Sequence, residues 1–151
     1  MCMVVFAATD ETLPLASTEE AFLFQAQPLL AEIEPVRRLF SKPYVYDLTS
    51  VGGCGCSFSY GPYDLENQSD EAVPAAVRES ERSSHEQSRQ SVRLLQEWLR
   101  TAAGMGTVEV YSCWSGDEGA EPETRLAVGL DHFGGEEFSP VERQFITVHG
   151  D

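Results

Sequence analysis

Four cysteines are the residues of this chain with the most distinctive chemistry. Cys54 and Cys56 are separated only by Gly55, whereas Cys2 and Cys113 lie far from them along the chain. Thiolates are soft ligands that select zinc, copper(I) or iron, and four of them satisfy a tetrahedral site. We therefore expect a soft-metal site built from Cys54, Cys56, Cys113 and Cys2, with zinc, copper(I) or iron as the bound ion.

His132 is a fifth candidate ligand, because it closes a predicted strand and imidazole is a common metal ligand. The cysteine spacing departs from standard zinc motifs, which pair cysteines as C-x2-C or wider. A C-x-C pair chelates one ion only if the backbone bends between the thiols. The conformational freedom of Gly55 makes such a bend inexpensive.

Two other uses of the thiols are open alternatives. A disulfide between Cys54 and Cys56 would close a small strained ring of the reactive kind, which is typical of a thiol-based redox enzyme. Cysteine is also among the most frequently buried residues, which fits a non-catalytic protein-interaction domain with structural cysteines. Neither a nucleophile-elbow serine motif nor a phosphate-binding glycine loop occurs. The sequence therefore favours a binding domain over an enzyme.

The charge balance restricts the partners. The chain carries 25 acidic residues against 10 basic ones, a formal net charge of −15. Nucleic acids and anionic membranes both attract basic surfaces, so we expect neither as a partner. A protein partner and a homodimer both stay open. No secretory signal pattern and no apolar run of about 18 residues is present, which predicts a cytoplasmic protein.

The predicted elements place the thiols at the ends of strands. Alternating or continuous apolar patterns predict strands at 3–8, 22–27, 44–51, 54–60, 107–114, 125–131 and 144–149, with a helix as the alternative over 22–27. A short helix is predicted over 34–40, and a long helix from about Ser83, which with Glu86 fits a capping box. The last three strands are predicted to form a meander.

These elements predict one α+β domain spanning residues 1–151. We expect a mostly antiparallel sheet of five to seven strands, with one long helix packed on one face and one short helix. No apolar residue occurs from Arg78 to Ser91. The segment at about 64–84 is therefore predicted to be flexible or solvent-exposed, either as a loop or as a fully solvated helical extension.

Two segments carry resemblances to known families. Residues 42–46 leading into Gly53-Cys54-Gly55-Cys56-Ser57-Phe58 resemble a segment of small bacterial proteins that share G-C-G-C-x-F and have no established activity. That resemblance implies no catalytic residue, but it points to the same thiols. Cys2 before an apolar strand resembles the start of N-terminal-nucleophile amidotransferases, which would imply hydrolysis by Cys2. Met3 stands where that family usually has glycine.

Overall fold

The computed structural model describes residues 2–14, 22–29, 34–58, 74–133 and 138–150. The strands are β1 (Met3–Thr9), β2 (Phe24–Pro28), β3 (Tyr44–Ser50), β4 (Val108–Trp114), β5 (Thr124–Gly129) and β6 (Gln144–His149). The helices are α1 (Glu34–Arg37), α2 (Ala75–Ala103) and one turn of 3-10 helix (Leu130–Phe133). Six strands form one sheet in the order β2-β3-β1-β4-β6-β5. The predicted α+β architecture is confirmed.

Strand pairing is antiparallel throughout this sheet except at one edge. β5 runs parallel to β6, with Thr124 opposite Gln144 and Gly129 opposite His149. β6 therefore lies between β4 and β5, and the predicted closing meander is wrong. Parallel neighbours cannot be joined by a tight hairpin and need a crossover. The chain between β5 and β6 begins that crossover with the 3-10 helix.

α2 packs only its second half on the sheet. Its buried residues recur at helical spacing and face the sheet; they are Ser91, Val92, Leu95, Trp98, Leu99, Ala102 and Ala103. The helix begins at Ala75 after Pro74, so the prediction of a start near Ser83 is wrong. Proline suits a helix entrance, and the polar first half is rich in good helix formers. Among the described helices, none combines the length and apolar character that crossing a bilayer requires.

The predicted flexible segment has two outcomes. Residues 64–73 lie outside the described residues, whereas residues 75–84 form the first turns of α2. Those turns are largely exposed, as expected for a stretch without apolar stripes. Of the two predicted alternatives, the solvated helical extension is the one that residues 75–84 adopt. The periodicity that identifies a buried helix face is missing there, so the sequence pattern alone did not decide between them.

Each face of the sheet carries its own apolar cluster. Val5 and Ala7 belong to the cluster under α2, whereas Phe6 and Ala8 belong to a second cluster on the opposite face. Side chains of a strand alternate between faces, so a continuous apolar run such as β1 is expected when both faces are covered. The second cluster packs under α1 and the turn after it; its buried members are Phe6, Ala8, Leu29, Val36, Phe40, Val45, Tyr111, Cys113 and Phe145.

Candidate metal centre

Three of the four cysteines meet at one end of the sheet. Cys2 precedes β1, and Cys54 and Cys56 lie in the turns that follow β3. Their three Sγ atoms all lie within 4.8 Å of one another. Cys2 and Cys56 are exposed, and Cys54 is half-buried. We call this group of Cys2, Cys54 and Cys56 the cysteine rim.

The cysteine-bearing loop reverses direction immediately after β3. Gly52 and Gly53 have φ values of +94° and +84°, in the left-handed region that favours glycine. The N–H of Gly53 donates to the carbonyl of Ser50 (3.0 Å), and the N–H of Ser50 donates to the carbonyl of Cys54 (2.8 Å). The glycine pair therefore folds Cys54 back onto the end of β3.

The predicted strand over 54–60 is wrong where the structure describes it. Residues 54–57 form bends and turns, and 59–60 lie outside the described residues. The alternation of Cys54, Cys56 and Phe58 mimics a strand, but the positive φ of the preceding glycines starts a turn instead. A tight turn gathers nearby thiols more closely than an extended strand does.

The loop docks on the first residues of β1. The N–H of Gly55 donates to the carbonyl of Met3 (2.8 Å), and the N–H of Met3 donates to Sγ of Cys56 (3.1 Å). A Cβ atom at Gly55 would lie 2.7 Å from Cγ2 of Val5 and 3.0 Å from the carbonyl oxygen of Met3. Glycine is thus required at position 55 for close approach, whereas the sequence suggested a need for backbone freedom.

Two buried serines hold the loop in place. The hydroxyl of Ser50 donates to the carbonyl of Cys54 (2.5 Å). The hydroxyl oxygen of Ser91 on α2 accepts from the N–H of Val51 (3.2 Å), and its O–H donates to the carbonyl of Leu23 (2.6 Å). Because buried polar groups must be paired, these bonds tie the start of the loop to the long helix.

Sequence reasoning missed both serines as parts of the site. Ser91 was grouped with the polar first half of α2. Its spacing of four and seven residues from Leu95 and Trp98 places it on the buried stripe, and that periodicity is a usable signal. Ser50 offers no comparable signal, because a serine at a strand end is also common in exposed turns.

The thiols of the cysteine rim differ in acidity. Burial, together with the neighbouring thiols of Cys56 and Cys2, raises the pKa of Cys54 to about 11. Burial also acts to raise the pKa of Cys56, but hydrogen bonds from the Met3 N–H and from the Cys54 and Cys2 thiols outweigh it and lower that pKa. Cys56 therefore becomes a thiolate more readily than Cys54 does.

Cys113 lies at the same end of the sheet but outside the cysteine rim. It stands directly opposite Val4 of β1, is fully buried, and belongs to the second apolar cluster. Burial, followed by the charges of Glu118 and Asp117, raises the pKa of Cys113 to about 12. The structure thus places this predicted ligand among apolar side chains on the face opposite to Val5, against which the cysteine loop packs.

His132 is placed at the other end of the sheet. It belongs to the 3-10 helix that follows Gly129, and its exposed ring contacts the rings of Phe133 and Phe138 edge-on, with centroids 5.2 and 6.1 Å apart. Gly129 pairs with His149 at the end of β6, whereas the cysteine rim adjoins the start of β1. The structure therefore does not bring this predicted ligand to the rim.

The cysteine rim is chemically suited to a thiophilic ion. Among the described residues, the group of mutually close His, Cys, Asp and Glu ligand atoms consists of these three sulfurs. Three thiolates form a nearly complete tetrahedral shell for a soft metal. Thiols held this close can also be oxidised in pairs, provided that two sulfurs approach to bonding distance.

Comparisons of this chain with known proteins supply no relative from which a function could be carried over. The resemblance of the G-C-G-C-x-F segment to small bacterial proteins stays a prediction. No protein-family model, no curated protein and no solved structure matches this chain, so its function is inferred from the geometry of the rim itself.

Proposed function

We propose that the cysteine rim binds one soft transition-metal ion through the thiolates of Cys2, Cys54 and Cys56. The observation that carries this proposal is the separation of the three Sγ atoms, all within 4.8 Å of one another. Sulfurs that share a tetrahedral zinc ion at about 2.3 Å are about 3.8 Å apart. Movements of about 1 Å by the exposed Cys2 and Cys56 side chains therefore complete the coordination geometry.

The ligand type selects the class of ion. Calcium and magnesium prefer oxygen ligands, so a group of three sulfurs does not suit them. Zinc, copper(I) and iron accept thiolates; copper(I) is satisfied by two or three, and zinc takes a fourth ligand. Cys2 and Cys56 are exposed, so solvent and chelators reach the ion directly. That exposure supports a role in metal sensing or storage over a purely structural one.

The proposal also implies a reducing compartment. All four cysteines are free thiols in the structure. Metal-binding thiolates persist where glutathione and thioredoxin keep cysteines reduced, which is the condition of the cytosol. We therefore keep the cytoplasm as the proposed location.

Metal titration of the anaerobic, reduced protein tests the proposal. Zinc is titrated against a chromophoric chelator, and copper(I) against a copper(I)-specific chelator. We expect one ion per chain. Replacement of residues that only support a metal ligand typically costs 10–100-fold in affinity. Cys54→Ser and Cys56→Ser, which remove ligands, should therefore each lower zinc affinity by at least about 100-fold.

Cys113→Ala is the matched control, because it removes a thiol that the structure places outside the rim. The Cys113→Ala variant should keep the metal stoichiometry and the metal affinity of the parent protein. A thermal melt of every variant checks that the variant is folded. Zinc affinity that stays unchanged in Cys54→Ser and in Cys56→Ser would contradict the proposal. Metal binding that is lost in Cys113→Ala would also contradict it.

A further inference from the structure

A cavity opens directly beside the cysteine rim. Its volume is about 310 Å³, and Cys56 forms part of its wall. Pockets for small molecules begin at about 300 Å³ and combine apolar or aromatic walls with a few polar groups. This cavity has that composition: its other lining residues include the apolar Met3, Trp114 and Pro140 and the polar Ser139 and Glu142.

The coordination chemistry of the rim calls for a further ligand. This step rests on the proposed function. Three thiolates leave one position of a tetrahedral ion open, and zinc sites with three protein ligands fill the fourth position with water or an external molecule. Within the described ranges, no further His, Cys, Asp or Glu ligand atom joins the three sulfurs. Because Cys56 lines the cavity, an ion bound to Cys56 lies next to that space.

We propose that the cavity binds a small aminothiol, whose sulfur is the fourth ligand of the rim metal and whose ammonium group meets Glu142. A soft ion favours a sulfur donor over an oxygen donor. The hydrocarbon stem of such a molecule packs against Met3 and Trp114. On binding, the thiol releases its proton to solvent, a sulfur–metal bond forms and the metal-bound water leaves, so no oxidation state changes.

The charge of the cavity selects the amine. Among the described residues that line the cavity, Glu142 is the one carboxylate and none is lysine, arginine or histidine. The chain as a whole carries a formal net charge of −15, so an anionic thiol is repelled locally and at long range. A neutral thiol avoids repulsion but has no charged group to pair with Glu142.

Cobalt(II) provides a direct readout of the fourth ligand. Tetrahedral cobalt–thiolate sites absorb visible light in a way that changes when a ligand is exchanged. The full chain is loaded with Co²⁺ and titrated with cysteamine, with mercaptoethanol and with mercaptoacetate, which differ in carrying an ammonium, a hydroxyl or a carboxylate. We expect a saturable spectral change with one equivalent of cysteamine bound per chain, and affinity that falls in that order. The fluorescence of Trp114 should change over the same range.

Glu142→Gln tests the selection of the amine. The carboxylate is exposed, and exposed ion pairs are weak, so cysteamine affinity should fall by about two- to five-fold while mercaptoethanol affinity is unchanged. Glu97→Gln is the matched control, because it removes the same charge from an exposed position of α2 that does not line the cavity.

The outcomes separate this inference from the proposed function. Stoichiometric Co²⁺ binding with no spectral response to any thiol would overturn the aminothiol inference and leave the metal site standing. Removal of the cobalt from the protein by the added thiols would also overturn the aminothiol inference. An equal loss of cysteamine affinity in Glu142→Gln and in Glu97→Gln would overturn it as well. Failure of Co²⁺ to bind, together with failed zinc and copper(I) titrations, would overturn both.

Discussion

The cysteine rim and the second apolar cluster place the same residue type in opposite environments. Cys113 lies opposite Val4, two residues along the chain from Cys2, yet Cys113 is 0% exposed whereas Cys2 and Cys56 are exposed. Side chains of β4 alternate between the two faces of the sheet, and Cys113 points into the second cluster. Cys113 thus lies at the same end of the sheet as the rim but is buried among apolar side chains, so its position along the sheet alone does not bring it into the rim.

The two environments also act differently on the thiolate. The rim offers hydrogen bonds to Cys56 that outweigh desolvation and lower its pKa. In the apolar cluster, desolvation is the largest cause that raises the pKa of Cys113, and the nearby charges of Glu118 and Asp117 raise it further, to about 12. The same physical rule therefore yields one reactive thiol and one inert thiol in a single domain.

Alkylation should show the largest difference between these two regions. A pKa of about 12 leaves about a thousand-fold less thiolate than an ordinary thiol with a value of 9.0. In the metal-free, reduced protein at neutral pH, iodoacetamide should therefore modify Cys56 at least about 1,000-fold faster than Cys113. Mass spectrometry of the peptides over time measures both rates.

Unfolding supplies the control for that measurement. In concentrated urea the two thiols lose their environments, and their rates should converge. Similar rates for Cys56 and Cys113 in the folded protein would show that the contrast between the rim and the cluster is absent in solution.

Ser91→Ala should have the next largest effect, because it breaks the link between α2 and the cysteine loop. The change leaves the N–H of Val51 and the carbonyl of Leu23 without their shared partner. An unpaired buried polar group costs about 1–3 kcal/mol. Because Val51 and Leu23 are only half-buried and water can reach part of their backbone, the free energy of unfolding should fall by about 1–3 kcal/mol for the two groups together. Urea denaturation measures it, and the metal titration of the same variant reports whether the rim is displaced.

Ser84→Ala is the matched control on the exposed first half of α2. It should change the free energy of unfolding by no more than about 0.5 kcal/mol and leave metal affinity unchanged. If Ser91→Ala behaves like Ser84→Ala, the hydrogen bonds of Ser91 do not position the loop.

Asp47→Asn should have the smallest effect and extends the comparison to a carboxylate. Asp47 stands opposite Phe6, on the face of the second cluster, and burial raises its pKa above 3.8. A carboxyl group whose pKa is higher in the folded state favours folding most at pH values below its unfolded-state pKa. That contribution is lost as the pH rises through its folded-state pKa. The variant should therefore be more stable than the parent at pH 7 and lose that advantage near pH 3.

The gain at pH 7 should stay under about 0.5 kcal/mol, because Asp47 is only half-buried and solvent screens its charge. Paired thermal melts across pH measure the difference. An advantage that grows toward acid pH would have the wrong sign for desolvation as the cause.

Local patterns predicted most of the strands. β1, β3, β4 and β6 match the predicted segments to within one residue, because their apolar or alternating residues reflect burial on one or both faces. The parallel pairing of β5 with β6 was not predictable in this way. Register and neighbour order depend on long-range contacts, and a strand has the same pattern in either direction.

The candidate site was predictable in its chemistry and only partly in its membership. The glycine-flanked C-x-C pair singled out Cys54 and Cys56, and Cys2 joins them in the structure. Cys113 and His132 also carry side chains that can bind a soft metal, but Cys113 is buried in the second cluster and His132 lies at the other end of the sheet. Ser91 and the lining of the cavity, including Trp114 and Glu142, come from distant parts of the chain.

The sequence by itself determined the number of thiols, the turn at Gly52-Gly53 and the alternation that builds a two-faced sheet. Those properties are local, since they depend on residue type and backbone conformation. Only the tertiary structure decided that Cys2 meets Cys54 and Cys56 while Cys113 is buried in the second apolar cluster. That outcome depends on which strands pair and on the docking of the loop against Met3 and Val5. The free energy of this docking comes from contacts between residues fifty or more positions apart.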